Sequence, residues 1–447
     1  MPSYQINMIL VILEFPLAGQ LIKYLLHAFE NSFMLFENNS RQDGSFKLLG
    51  TALFAYMLII ILVITLAPFR YHVPQKLAIF WFWDVKEVLQ NIFLFTPFGF
   101  LIHSIIGEKS RFYLAKVYLL GLALSSFIEF NQFFIYTRMT SLIDIAANSF
   151  GSLVGAFFYV QFKKRLSKAS GKIILEIPLM NLLFLLIPLL WLSSLAIGKE
   201  VQRIWLILPL GLMGAILISE IYLNRIYSKT YFNRILFFLF FFAWFIISTF
   251  PALVEFPKTI LAFCLICVAF IAVRFLLQKQ KMASEQRFEL RTLIKIVPLY
   301  CFYIIILNRW PIRSFDSNYS FSFVQPELFS TSDLDFIIRT IQLFSSFTIV
   351  GYTLYQYINR RKPRNITAKL IFSLLAISMI IEMPRGFNPS QVAVFTNIFF
   401  NFFWGLFGAL IYILQLHYFK SIQNEKKEVQ LELDFDTKSI VRRKRAS

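Results

Sequence analysis

Histidine, cysteine and charge are all scarce in this chain, and each scarcity closes off a class of function. Four histidines are scattered with no H-x-x-x-H or similar spacing, so no protein-ligated metal is expected and no cofactor is implied. Three cysteines, Cys264, Cys267 and Cys301, lie in apolar segments. There a thiol behaves as a small hydrophobe, and the redox-like spacing of "CLIC" at 264–267 is read the same way. Charged residues make up 15% of the chain against 57% hydrophobic, too little to cover a soluble domain of 447 residues. No Lys or Arg precedes Lys23, so the basic start of a cleaved signal peptide is missing.

What is present is a series of apolar runs of about 20 residues, the length that crosses roughly 30 Å of hydrocarbon as helix. The backbone must be satisfied internally in lipid, so an all-α polytopic membrane protein is expected, and no barrel-like alternation competes with it. Twelve spans are placed at 48–68, 89–107, 113–136, 142–162, 173–197, 203–223, 232–250, 257–277, 295–309, 336–357, 368–384 and 392–417. They group as 4+4+4: units at 48–162, 163–294 and 295–417, with an N-terminal segment 1–47 and a basic tail 418–447. The stretch 5–27 is interrupted by Glu14, Pro16 and Lys23, and reads as an interfacial or re-entrant helix; if it crosses, the count becomes thirteen. The tail after about 420 is polar and reads as a flexible extension near anionic headgroups.

The net charge of +19 is concentrated in alternate short loops, at 108–111, 163–168, 224–229, 279–287 and 360–364, and in the tail at 442–445. That placement obeys the positive-inside rule and sets both termini in the cytoplasm, with anionic headgroups as partners of the basic loops. It argues against nucleic acid as a partner. "FWFW" at 80–83 and Trp310 mark the opposite boundary, as interfacial aromatics do.

Against this apolar background, residues 125–151 stand out for Glu129, Arg138 and Asp144. A charge at the centre of a membrane helix costs about 2.5–3.5 kcal/mol, so intramembrane ionisable groups mark candidate sites. The stretch reads as a hairpin turning at Arg138, with Glu129 level with Asn148 and Gln132 level with Asp144. Ser125, Glu129 and Gln132 share one helix face, and Asp144, Asn148, Gly151 and Gly155 share the other. The Gly151–Gly155 step allows close backbone approach, so the two stripes are expected to face each other, with Arg138 neutralising one carboxylate. A polar pocket open to the outer leaflet competes with a purely architectural network. Pro97 is read as a tolerated kink and Asn91 as a further polar contributor near the outer boundary.

"LAPFR" at 66–70, "NIFLFTPFGFLI" at 91–102, "SSFIEFNQFF" at 125–134, Arg138 and "DIAANSFGSLVGAFFY" at 144–159 together resemble the VanZ-like family over about 48–162. The matched positions are Asn91, Pro97, Gly99, Glu129, Gln132, Arg138, Asp144, Asn148 and Gly151. Ser141 and Ile143 stand where the family often has aspartate, which counts against a cation-binding loop. The family takes its name from a protein linked to low-level teicoplanin resistance. The resemblance therefore implies a bacterial plasma membrane and an effect on the envelope, without a settled reaction.

The C-terminal stretch 376–412 repeats the pattern: Glu382 to Asn397 is the same interval as Glu129 to Asp144, and Asn401 and Gly408 follow as Asn148 and Gly155 do. Arginine and glutamine exchange places, Arg385 for Gln132 and Gln391 for Arg138. Residues 333–347 are aligned with 84–98, which makes 295–417 a second, diverged VanZ-like unit in parallel orientation. Its carboxylate and guanidinium can neutralise each other, which suits a structural role. The first hairpin, with two carboxylates for one guanidinium, is the candidate site. Three functions stay open: binding or remodelling a lipid-linked glycan or lipid headgroup, a membrane enzyme using Glu129 and Asp144 as an acid–base pair, and a lipid or small-molecule transporter.

Overall fold

The computed structural model describes residues 42–67, 69–72, 84–106, 112–135, 138–168, 177–197, 203–221, 231–255, 288–309, 318–324, 334–361, 365–389 and 391–446. The expected segment 5–27, the span 257–277 with Cys264 and Cys267, "FWFW" at 80–83 and Trp310 lie outside them.

Helices account for nearly all of the described chain. They are α1 (Gln42–Leu66), α2 (Val85–Ile106), α3 (Tyr113–Gln132), α4 (Leu142–Lys168), α5 (Ile177–Ile197), α6 (Ile204–Ile221), α7 (Tyr231–Glu255), α8 (Phe288–Arg309), α9 (Leu334–Arg360), α10 (Ile366–Glu382) and α11 (Phe395–Ala446). Among the described residues ten helical segments are long and apolar enough to cross a membrane, and Phe238–Leu253 of α7 is a shorter apolar stretch. The chain is an all-α, multi-pass membrane protein. A 3-10 turn, Met383–Phe387, follows α10, and two-residue strands β1 (Phe321–Ser322) and β2 (Ala393–Val394) pair in parallel before α11.

Several boundaries differ from expectation, and three of them matter here. Helix α8 starts at Phe288 rather than 295, because "FELRTLI" continues the helix into its polar flank. Helix α11 runs unbroken to Ala446, so the tail is helical rather than loose. Its sequence from 420 has no glycine or proline and is rich in Lys, Glu, Gln and Leu, all good helix formers. Helix α3 stops at Gln132, not 136, and this has consequences for the site. The chain divides at Leu49 and Gln415. The packing and the site described below lie wholly between them; outside are the first turns of α1 and the distal part of α11.

The tightest packing joins α2 to α4, and glycine makes it possible. A methyl group on Gly155 would overlap the carbonyl of Thr96, one on Gly151 the carbonyl of Ile92, and one on Gly99 the carbonyl of Ser152. Gly151 and Gly155 therefore bring α4 against α2, not against α3 as expected. The contact between α3 and α4 uses a different pair, Gly121 against the Ser152 side chain. Pro97, buried inside α2, does not end the helix. Because the obstacle at Gly155 is backbone, it cannot rotate away. Gly155→Ala is expected to destabilise the fold by about 1–3 kcal/mol, read as a lower thermal midpoint in detergent, whereas Ala146→Gly on the exposed face should not show this steric loss.

The same contacts recur between α9 and α11. Gly408 lies against the Thr348 carbonyl, as Gly155 does against Thr96, and Gly351 against Gly405, as Gly99 does against Ser152. This register places Thr348, not Ser345, opposite Thr96, about one turn further than the alignment of 333–347 with 84–98. Side-chain similarity misled there, since "LFSSF" imitates "LFTPF" while backbone contact follows the glycines. A size exchange fits the same register: Gly121 makes room for Ser152, whereas Gly405 makes room for Leu374.

Candidate functional site

Helix α1 ends at Leu66 because Pro68 follows, and the residue before a proline disfavours the helical region. Phe69 then takes a left-handed conformation, with φ of 60°, uncommon for a side chain of its size. The last carbonyls of α1 are left without intrahelical donors. Arg138 supplies them: Nε donates to the Ala67 carbonyl at 3.1 Å, and Nη2 to those of Ala67 and Ile64 at 2.9 Å. Gln132 Nε2 adds a bond to the Thr65 carbonyl at 2.9 Å. Backbone pairing pins the loops together, with His72 N donating to the Phe134 carbonyl at 2.7 Å and a bridge between Tyr71 and Ile135.

Arg138 thus holds a helix C-terminus, where a cation is favoured, instead of neutralising a carboxylate as expected. Burial pulls the guanidinium below its ordinary pKa, while the charges of Glu87 and Glu129 act in the opposite sense. An arginine stays protonated through such a shift.

The expected depth matching also changes. Counting a full helix back from Arg138 overstates the depth, because α3 stops at Gln132 and residues beyond it form a folded loop. Asn148 meets Ser125, not Glu129, with Nδ2 donating to Oγ at 2.8 Å. Glu129 lies one turn nearer the loop, where its Oε2 accepts the Ser141 backbone N–H at 2.8 Å. Asp144 accepts from Asn91 and faces α2, and Glu129 lies within electrostatic reach of both Asp144 and Glu87. The structure therefore brings Asn91, Glu129 and Asp144 together, puts Asn148 with Ser125 one turn further along, and places Gln132 and Arg138 on the end of α1.

This buried cluster is rich in acceptors. Glu129 is 3% exposed and Asp144 8%, and among the described residues neither has a cation within ion-pair distance. Asn148 Oδ1 and Ser141 Oγ are buried and have no hydrogen-bond partner among the described residues. Glu87, at the exposed start of α2, is the residue that sequence reasoning left out. Its signal was the one-turn spacing to Asn91, masked by placing the start of the helix at 89. No group of three His, Cys, Asp or Glu among the described residues could hold a metal ion.

The second hairpin, α10 and α11, uses the same backbone contact with different chemistry. Glu382 Oε1 accepts the Val394 N–H at 3.0 Å, twelve residues on, as Glu129 accepts from Ser141 twelve residues on. Here the cation is present: Arg385 Nη1 lies 3.1 Å from each oxygen of Glu382, and its Nε donates to Gln391 Oε1 at 3.3 Å. Asn397, in the place of Asp144, donates Nδ2 to Glu382 Oε1 at 3.1 Å. Asn401 and Ser378 stand where Asn148 and Ser125 do and are fully buried, but do not bond to each other.

A family model described as VanZ/LLP1 matches residues 22–164, starting well before the expected 48 and covering α1 to α4. No curated protein and no solved structure matches the chain.

Proposed function

We propose, from the premise that this chain is a VanZ-like membrane protein over residues 22–164, that its first hairpin holds an envelope lipid by the headgroup, or the glycan of a lipid-linked glycan, and thereby lowers sensitivity to glycopeptide antibiotics. One observation carries the reading. Two hairpins share the contact between a buried glutamate and the backbone twelve residues on, yet among the described residues only the second has a cation within ion-pair distance of its glutamate. A buried charge without a partner is costly, and its retention beside a satisfied counterpart points to use rather than architecture. Residues 295–417 are then a second VanZ-like unit, in which the site has become structural.

One basic run, at 108–111, follows the C-terminal end of α2 and another, at 163–168, forms the last turns of α4, while the candidate site lies at their N-terminal ends. With those runs in the cytoplasm of a bacterial plasma membrane, the pocket faces outward, where lipid-linked envelope precursors are found. Phe130, Met139, Leu142 and Phe150, close in sequence to its residues, are exposed and apolar, a surface suited to acyl chains.

The test is complementation of a strain deleted for the protein. Wild type should raise the inhibitory concentration of teicoplanin severalfold, and Glu129→Gln should return it to that of the deletion. Lipid retained on purification should fall with it. Unchanged resistance and unchanged lipid in folded Glu129→Gln protein would overturn the reading.

A further inference from the structure

The two hairpins also indicate what kind of group the first one takes. In the second, the oxygens of Glu382 are occupied by the Val394 N–H, the Asn397 amide and the Arg385 guanidinium. Every one of these is a donor, and the last is a cation carried by the chain itself. In the first hairpin the backbone donor is kept, Ser141 N–H to Glu129 Oε2, and the other two are gone. Asp144 replaces the amide, and Gln132, in the place of Arg385, reaches away to the Thr65 carbonyl. Arg138 is turned to the carbonyls of Ile64 and Ala67.

Among the described residues, what remains unfilled is therefore the place of a cation with several N–H donors. Glu129 and Asp144, within electrostatic reach of each other, supply its acceptors, and Asn148, one turn further along α4, carries a buried Oδ1 without a partner among the described residues. A protonated primary amine brings three N–H donors and a positive charge to such acceptors. A phosphate or carboxylate would meet two buried carboxylates instead, with the nearby guanidinium already engaged.

We propose that the first pocket takes the protonated primary amine of a lipid headgroup, in the position that the second hairpin fills with its own Arg385. The inference rests on the reading of the pocket as a lipid site and specifies its ligand. A membrane source is favoured over a soluble amine because the exposed neighbours in sequence, Met139 at 70% and Phe130 beside Glu129 at 65%, are apolar.

Purified full-length protein in nanodiscs made with equal parts phosphatidylethanolamine, phosphatidylcholine and phosphatidylglycerol tests this by the lipids retained after extraction. Phosphatidylethanolamine should be enriched about tenfold over phosphatidylcholine, whose quaternary nitrogen has no N–H, and over phosphatidylglycerol, which has no amine. Soluble ethanolamine at millimolar concentration should leave that retention unchanged; displacement would overturn the lipid source. Gln132→Arg, which supplies the in-chain cation, should abolish the enrichment while raising the thermal midpoint. Equal retention of the three lipids by folded wild type would overturn the amine. The readout makes no use of antibiotic resistance, so loss of resistance in Glu129→Gln with equal retention would leave the lipid site standing and remove only the amine.

Discussion

Arg385→Leu should destabilise the protein by about 3–5 kcal/mol, the cost of leaving a buried carboxylate without its cation. Glu382 is 1% exposed, and the arginine side chain only 11%, so solvent cannot replace the lost partner. The double variant Arg385→Leu/Glu382→Gln should recover most of that loss, because a buried pair removed whole costs far less than half of one. Thermal unfolding in detergent, read as a double-mutant cycle, measures the coupling. If the single variant unfolds within about 0.5 kcal/mol of wild type, Arg385 is not what neutralises this hairpin.

Asp144→Asn is expected to do the reverse in the first hairpin: function is lost while stability rises. An asparagine there can donate to Glu129 as Asn397 donates to Glu382, and the repulsion between two buried carboxylates disappears. A hydrogen bond to a charged group contributes about 1.5–3 kcal/mol, and part of this should appear as a higher thermal midpoint. Resistance in the complemented strain should fall to the level of the deletion. A variant that loses both stability and resistance would make Asp144 an architectural residue; one that keeps resistance would remove it from the site. The opposite signs expected at Arg385 and Asp144 are the practical difference between a satisfied hairpin and an unsatisfied one.

Much of this is visible in one dimension because lipid imposes a simple length rule. Spans α2, α5, α6 and α9 begin and end within a few residues of the apolar runs. The exchange of arginine and glutamine between Gln132, Arg138 and Arg385, Gln391 is likewise a matter of spacing, and the i, i+3 pair of Glu382 and Arg385 needs only local helix geometry. The destination of Arg138 is different. Its acceptors are 71 and 74 residues away, on carbonyls that carry no side-chain signature. Gly151 and Gly155 show the same limit: spacing declared a close contact, but not that α2 would be the partner.

From its sequence alone, then, the chain is determined to be a bundle of membrane helices with charge placed at like intervals in two hairpins, because hydrophobic length and residue interval survive without knowledge of neighbours. Which groups are left unsatisfied was decided only in three dimensions. Whether a carboxylate has a partner depends on where a long arginine side chain finds its strongest acceptors, and those acceptors are backbone atoms that every sequence possesses.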